Sequence, residues 1–296
     1  MYKAINRQTQ EEVIILSQKY AGQIEVLRDL DRLDILVCQG CHQPVRVKAG
    51  FERRHHFAHK HKQSCSFGSE STEILDARAV LYEWLVTKYP TGVTIEKRIE
   101  DSSLPRPIDC WVEVGTNRFA YWIFDGGMKP STREEITSAF HQLKCSVTWV
   151  FVESMLRADE TDPDHINLST TEREFIHHSE YDEVAGEKGS IFGKTIHYLL
   201  AEAGKLVTYR NLVVIHLPGT YEGNIQITAM GYVKLSPKTG EFVNPGEYEA
   251  LSQLREERKE EEHRQKELAS RRPARQEHRP ASTTSSRSPY PAPDDS

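Results

Sequence analysis

Nowhere in its 296 residues does the chain carry an apolar run of about eighteen residues, the minimum for a helix that crosses a bilayer. The opening residues, MYKAINRQTQEE, lack the apolar core of a secretory signal. No membrane partner is expected, and the expected compartment is the cytoplasm. Excess positive charge is missing too. The formal net charge is -6, which argues against a protein that coats nucleic acid by bulk charge. Nucleic-acid contact would need a local patch, for which Lys48, Arg53, Arg54, Lys60 and Lys62 are candidates, unless they are only the polar surface of a small module. Cysteine is scarce. There are five, an odd number that suits metal binding in a reducing compartment better than disulfides. No internal repeat is evident.

What sulfur there is lies together. Cys38, Cys41 and Cys65 fall in one short stretch with His55, His56, His59 and His61, while Cys110 and Cys145 stand alone. A tetrahedral zinc ion needs four soft or borderline ligands, and Cys-x-x-Cys on a tight turn supplies two of them. Gly40 lets the chain fold back between Cys38 and Cys41, and Cys65 is the third ligand. The fourth is a histidine of the run HHFAH: His59 is the first choice because it is nearer Cys65, and His56 is the second. The unused ring can orient a ligand from behind. Three thiolates leave no open position for water, so the expected cofactor is a structural zinc ion. A chance gathering of surface residues is the weaker alternative, because Cys-x-x-Cys is common and its His-Cys completion is not.

Apolar periodicity gives the rest of the organisation. Residues 2–37 read as two or three short strands. Ile74, Ala77, Val80, Leu81, Trp84 and Leu85 share one face of a helix over 69–89, capped by Ser69 or Ser71 and stopped at Pro90 and Gly92. Three strand runs follow, VTIEKRIE, PIDCWVEV and RFAYWIFD, then a helix from Ser131 to about Lys144 and a buried strand, SVTWVFVE. A meander crossing by a helix into a buried strand implies an α/β (α+β) fold with a mixed sheet flanked by helices. Beyond it, 155–172 reads as loop and 190–204 as helix. Two strand runs, 209–217 and 224–235, are joined at Gly-Thr-Tyr-Glu-Gly-Asn. From Tyr248 to about Arg272 the chain reads as a solvated helix entering a disordered Ser/Pro/Arg tail. The expected divisions are 1–68 for the zinc module, 69–155 for the core, 156–250 for an extra α+β region and 251–296 for the helix and tail.

The order of these motifs, Cys-x-x-Cys, Val45-Arg46-Val47-Lys48, His56-Phe57-Ala58-His59, Cys65, then Glu70-Ser71 opening a helix, resembles the competence protein CoiA-like family over about residues 30–155. That resemblance implies a zinc-finger-like segment followed by a nuclease-like domain of the PD-(D/E)xK, restriction-endonuclease-like type, and a role in DNA uptake and recombination. It places Asp109 at the metal-binding Asp position and Arg106 at the basic position before it. Glu70 and Glu73 fall at the acidic positions of the first helix, and Glu96 on the preceding strand as a helper. The sequence departs from the family pattern in three places. Trp122 and Phe124 stand where a Glu-x-Gln or Glu-x-Lys pair is expected, Ile74 where a histidine is expected, and no arginine appears in ITSAFHQL.

One aspartate cannot hold Mg²⁺ and align a water by itself. Asp125, one residue past the expected pair, would contribute only if a bulge turned it inward, and Glu113 is too far along its strand. Trp122 and Phe124 read first as core and second as a platform for stacking bases. Three functions follow as expectations: a protein on a degenerate nuclease frame that binds DNA, single-stranded DNA included; an active Mg²⁺-dependent nuclease using Asp109, Glu70 or Glu73, Glu96 and Asp125; or a scaffold that docks proteins.

Overall fold

The computed structural model describes residues 1–50, 53–61, 65, 67, 70–100, 102–178, 194–216 and 219–271. Lys62, Ser69 and the tail beyond Arg271 therefore lie outside the described residues. The N-terminal strands are β1 (Lys3–Asn6), β2 (Glu12–Ile14) and β3 (Leu36–Val37), which form one small sheet in the order β2-β1-β3. Between β2 and β3 sits a helix the sequence reading missed, α1 (Ile24–Arg32). Only Leu27 of this helix is buried, so its apolar stripe is too narrow to stand out among its charges. The hairpin β4 (Val45–Lys48) and β5 (His56–His59) pairs antiparallel, with Val45 opposite His59 and Val47 opposite Phe57.

Helix α2 (Thr72–Lys88) begins where expected, because the Ile74 amide donates to Ser71 Oγ at 3.1 Å and so satisfies an orphan N–H. It packs on a meander of β6 (Val93–Lys97), β7 (Ile108–Val114) and β8 (Asn117–Phe124). Helix α3 (Pro130–Leu143) starts on a proline, whose missing N–H costs nothing there. It then carries the chain to β9 (Ser146–Val152), parallel to β8. Phe119–Phe124 and Thr148–Val152 are all buried. A strand buried on both faces is what the continuous apolar runs signal.

The sheet does not stop at β9. Strands β10 (His165–Asn167), β12 (Lys194–Leu200), β13 (Lys205–His216) and β14 (Thr220–Ala229) extend it in the order β10-β14-β13-β12-β9-β8-β7-β6. Helix α4 (Thr170–Phe175) and the short β11 (His177–His178), which pairs with β12, lie between β10 and β12. The expected boundary at 155/156 thus falls inside one nine-stranded mixed sheet. The segment read as loop holds β10 and the start of α4, whose Ser169 and Glu172 form a capping box. The expected helix over 190–204 is corrected: its described part is β12 and the turn to β13. Thr195–Leu199 are all buried there, so the strand shows no alternation, and Ala201-Glu202-Ala203 lent it a helical look. The turn between β13 and β14 falls earlier than expected, since Thr220–Asn224 already belong to β14.

The chain then forms β15 (Lys234–Leu235), β16 (Phe242–Val243) and α5 (Pro245–Arg271). Met1–Ser252 make one compact unit and Gln253–Ser296 a second, in which Glu256–Ser270 are exposed, as a solvated helix requires.

Candidate metal centre and acidic cluster

Cys38 follows β3 and Cys41 ends the turn, closed by His42 N–H donating to Cys38 O at 2.9 Å. The left-handed residue is His42, at φ +56°, and not Gly40. Gly40 is needed for space, because a Cβ there would lie 3.0 Å from the Phe67 ring. The hairpin brings His59 up to the turn, with Nε2 3.3 Å from Cys41 Sγ. Cys65 Sγ lies 3.8 Å from Cys38 Sγ. The four ligand atoms of Cys38, Cys41, His59 and Cys65 all lie within 4.8 Å of one another, and this group can hold a metal ion. His56 is not part of it: its Nδ1 faces the Arg54 carbonyl at 2.9 Å. Burial lowers the His59 ring's pKa, helped by the Met1 ammonium, which keeps the ring in the neutral form a ligand needs.

A second cluster gathers three of the predicted acids, around a residue the sequence reading passed over. Arg78 of α2 is 1% exposed. Its Nε and Nη2 donate to Asp109 Oδ1 at 2.8 and 2.6 Å, and its Nη1 to Glu70 Oε2 at 2.9 Å and Glu96 Oε1 at 2.7 Å. Nη2 also donates to Glu70 Oε1. Asp109 accepts further bonds from Arg106 Nη1, at 2.8 Å to each oxygen, and from the Ile123 amide at 2.7 Å. Glu96 accepts from the amides of Tyr2 and Lys3 at 2.7 and 3.0 Å. Three carboxylates thus face Arg78, Arg106 and, 3.6 Å from Glu70, the Met1 ammonium. Burial alone would raise the Glu70 carboxyl, but Arg78 outweighs it and holds the group down at about 2. Glu96 sits at φ +50°, a conformation that costs a non-glycine residue about 1 kcal/mol or more.

Asp109 keeps no free lone pair for Mg²⁺. A carboxylate offers about four lone-pair positions, and on Asp109 five N–H contacts occupy them. The remaining candidates are elsewhere. Glu73 accepts from Ser154 N and Oγ at 2.8 and 2.6 Å, tying α2 to the end of β9. Asp125 is exposed. No bulge turns it inward, since β8 pairs with β9 without a break from Phe119↔Ser146 to Phe124↔Phe151. Glu113 is exposed and accepts from Trp111 Nε1. Trp122 and Phe124 are core, at 0% and 3% exposure. Arg106 lies over the Trp122 ring at 4.0 Å, between it and Asp109. The base-stacking alternative for the two aromatics is thereby corrected, because neither ring is open to a base. Arg78 had one visible signal: it lies four residues after Ile74 and three before Leu81, a charge on the apolar stripe of α2.

Beside the cluster, a cleft of about 420 Å³ is lined by Arg98, Ile99, Glu100, Ser102, Leu104 and Arg106, among others. The expected basic patch is thinner than its sequence. Lys60 is paired with Asp31 and Asp34, and Arg54 with Glu83, whereas Lys48 and Arg53 are exposed and hold no ion pair among the described residues.

Fold and site together define a mixed α+β protein with an N-terminal Cys3His group able to hold a metal ion. Residues 22–68 match the family described as "Competence protein CoiA, N-terminal domain", a span that includes all four of these residues. The chain is also 28% identical over 149 residues to "Competence protein CoiA" of Bacillus subtilis (strain 168). That match covers 50% of this chain and 39% of the relative. By these matches the chain is similar to competence protein CoiA over half of its own length and well under half of the relative's.

Proposed function

We propose that this chain is a DNA-binding protein that does not cleave DNA, with a nuclease-like core and an N-terminal module held by structural zinc. One observation carries the reading: Arg78 and Arg106 fill the place among Asp109, Glu70 and Glu96 where a nuclease of this type would need Mg²⁺. Without the metal there is no Lewis acid for the phosphate and no activated water. The DNA contact rests on the family resemblance and on the cleft, whose lining includes Arg98, Arg106 and Glu100. Lys48 and Arg53 would extend the contact onto the β4–β5 hairpin.

Zinc fits the donor set. With Zn–S near 2.3 Å and Zn–N near 2.0–2.1 Å, tetrahedral geometry separates two sulfurs by about 3.8 Å and a sulfur from a nitrogen by about 3.5 Å. The spacings here are 3.8 Å for Cys38–Cys65 and 3.3 Å for Cys41–His59. Three thiolates and one imidazole complete four-coordination, so the ion would brace the turn and hairpin and carry out no chemistry.

The test is a titration of labelled single- and double-stranded DNA against the full chain at several salt concentrations. Binding should weaken as salt rises, and Arg98→Ala should lower the slope of log K against log[salt] by about one, as loss of a phosphate contact does. Absence of binding to either form would overturn the reading and leave a protein-docking role.

A further inference from the structure

We propose that His177, His197 and Glu241 form a second metal site, which takes a divalent transition ion through two imidazoles and a carboxylate and leaves a coordination position open. Topology assembles it from residues far apart in the chain. β11 pairs antiparallel with β12, with His177 opposite Thr195. His197, two residues on, faces the same side of the sheet, and the two imidazole centroids are 5.8 Å apart. Glu241 comes in just ahead of β16, after Gly240 at φ +71°. Its Oε1 stands 3.7 Å from His177 Nε2 and 3.7 Å from His197 Nε2. One ligand atom from each residue lies within 4.8 Å of the other two.

The observation that points to an ion is His197. Its ring is 0% exposed. Nδ1 is fixed by Thr208 Oγ1 at 2.9 Å, and Nε2 is aimed at Glu241 with no hydrogen-bond partner. A buried polar nitrogen left that way is unfavourable, because it gave up water and gained no partner. At 3.7 Å the carboxylate is too far to accept from it. That spacing is close to the roughly 3.3–3.5 Å that nitrogen and oxygen ligands, each about 2.0–2.2 Å from the metal, keep around a tetrahedral ion. The Nδ1 contact to Thr208 is also the arrangement usual for a ligating histidine, whose second nitrogen is held by a hydrogen bond that orients the ring.

Charge favours a cation here, in contrast to the Arg78 cluster. Arg210 donates to Glu241 Oε1 at 2.9 Å, yet it is also engaged by both oxygens of buried Glu247, at 2.9 and 3.1 Å. Among the described residues, one guanidinium thus stands against two carboxylates here when both imidazoles are neutral. Imidazole with carboxylate suits zinc, iron(II) and their neighbours rather than Mg²⁺ or Ca²⁺. Three protein ligands among the described residues match the number found where the fourth position is kept for water or an exogenous molecule.

The experiment is elemental analysis of the full chain purified without chelator, followed by equilibrium dialysis against Zn²⁺ and Co²⁺. Two equivalents of transition metal are expected. His177→Ala, at the partly exposed ligand, should lose one equivalent and weaken the second Co²⁺ affinity more than about 100-fold, a larger loss than removing an outer-shell partner causes. Cys41→Ser should lose the other equivalent and keep this one. Should His177→Ala fail to fold, the Co²⁺ spectrum of the wild-type chain decides: a second Co²⁺ without thiolate charge-transfer bands supports the site. A single equivalent, bound with thiolate bands only, overturns it, as does a His177→Ala protein with undiminished metal content.

Discussion

Replacing Arg78 by Met keeps much of the side chain's volume and removes its charge. Asp109, at 0% exposure, and Glu96, at 1%, would then lie buried without their main partner, and Glu70 would lose the guanidinium that holds it ionised. Removing one partner of a buried ion pair costs about 3–5 kcal/mol, a large share of the about 5–15 kcal/mol that holds a domain folded. The depressed Glu70 carboxyl points the same way. A folded carboxyl held at about 2 against 4.5 when free corresponds to about 3 kcal/mol, at about 1.4 kcal/mol per pH unit. The sign follows from the depressed folded value: this stabilisation is fully present above about pH 4.5 and is lost as pH falls through about 2. In Arg78→Met most of it is absent at every pH, since only the Met1 ammonium and Arg106 remain to hold the carboxyl down. Urea unfolding of both proteins at pH 7 and pH 3 should therefore show a gap of about 3–5 kcal/mol at neutral pH that narrows in acid. A gap under about 1 kcal/mol at pH 7, or one of the same size at pH 3, would refute the role given to Arg78.

Other consequences are as direct. Cys41→Ser should release the N-terminal ion and destabilise the β4–β5 hairpin, seen as loss of one metal equivalent with faster proteolysis near residues 38–65, and strong chelation of the wild type should bring the same proteolysis. Trp122→Ala should cost about 3–5 kcal/mol in denaturant unfolding by opening a cavity between Arg106 and Phe140. In the fraction that stays folded, DNA affinity should be unchanged, since the ring is core. Asp109→Asn should destabilise by about 1–3 kcal/mol, because Arg78 and Arg106 lose a charged acceptor, and should leave DNA affinity within about threefold.

The first half of the chain was readable because its signals are local. Ser71 caps α2 three residues ahead of the first periodic apolar position, β8 and β9 are unbroken apolar stretches, and the metal ligands stand out because sulfur is scarce everywhere else. The 156–250 stretch was not readable for opposite reasons. β12 is central and buried on both faces, so it shows neither alternation nor helical spacing. His177, His197 and Glu241 meet only through the pairing of β11 with β12 and the approach of the chain to β16. Arg78 is an intermediate case: the sequence shows a charge on a buried stripe, but not that three acids converge on it from the residue before the cap of α2, from β6 and from β7. The same convergence explains why the acids looked catalytic. Asp109, Glu70 and Glu96 do come together, as residues around a metal would, and an arginine stands in their midst.

The claim that this cluster is closed by arginine is tested most directly by incubating the full chain with labelled single- and double-stranded DNA in Mg²⁺ and in Mn²⁺, beside Asp109→Ala. The account predicts intact DNA in every lane, with salt-sensitive retention of the label by the wild type. Metal-dependent cleavage by the wild type that Asp109→Ala abolishes would contradict it.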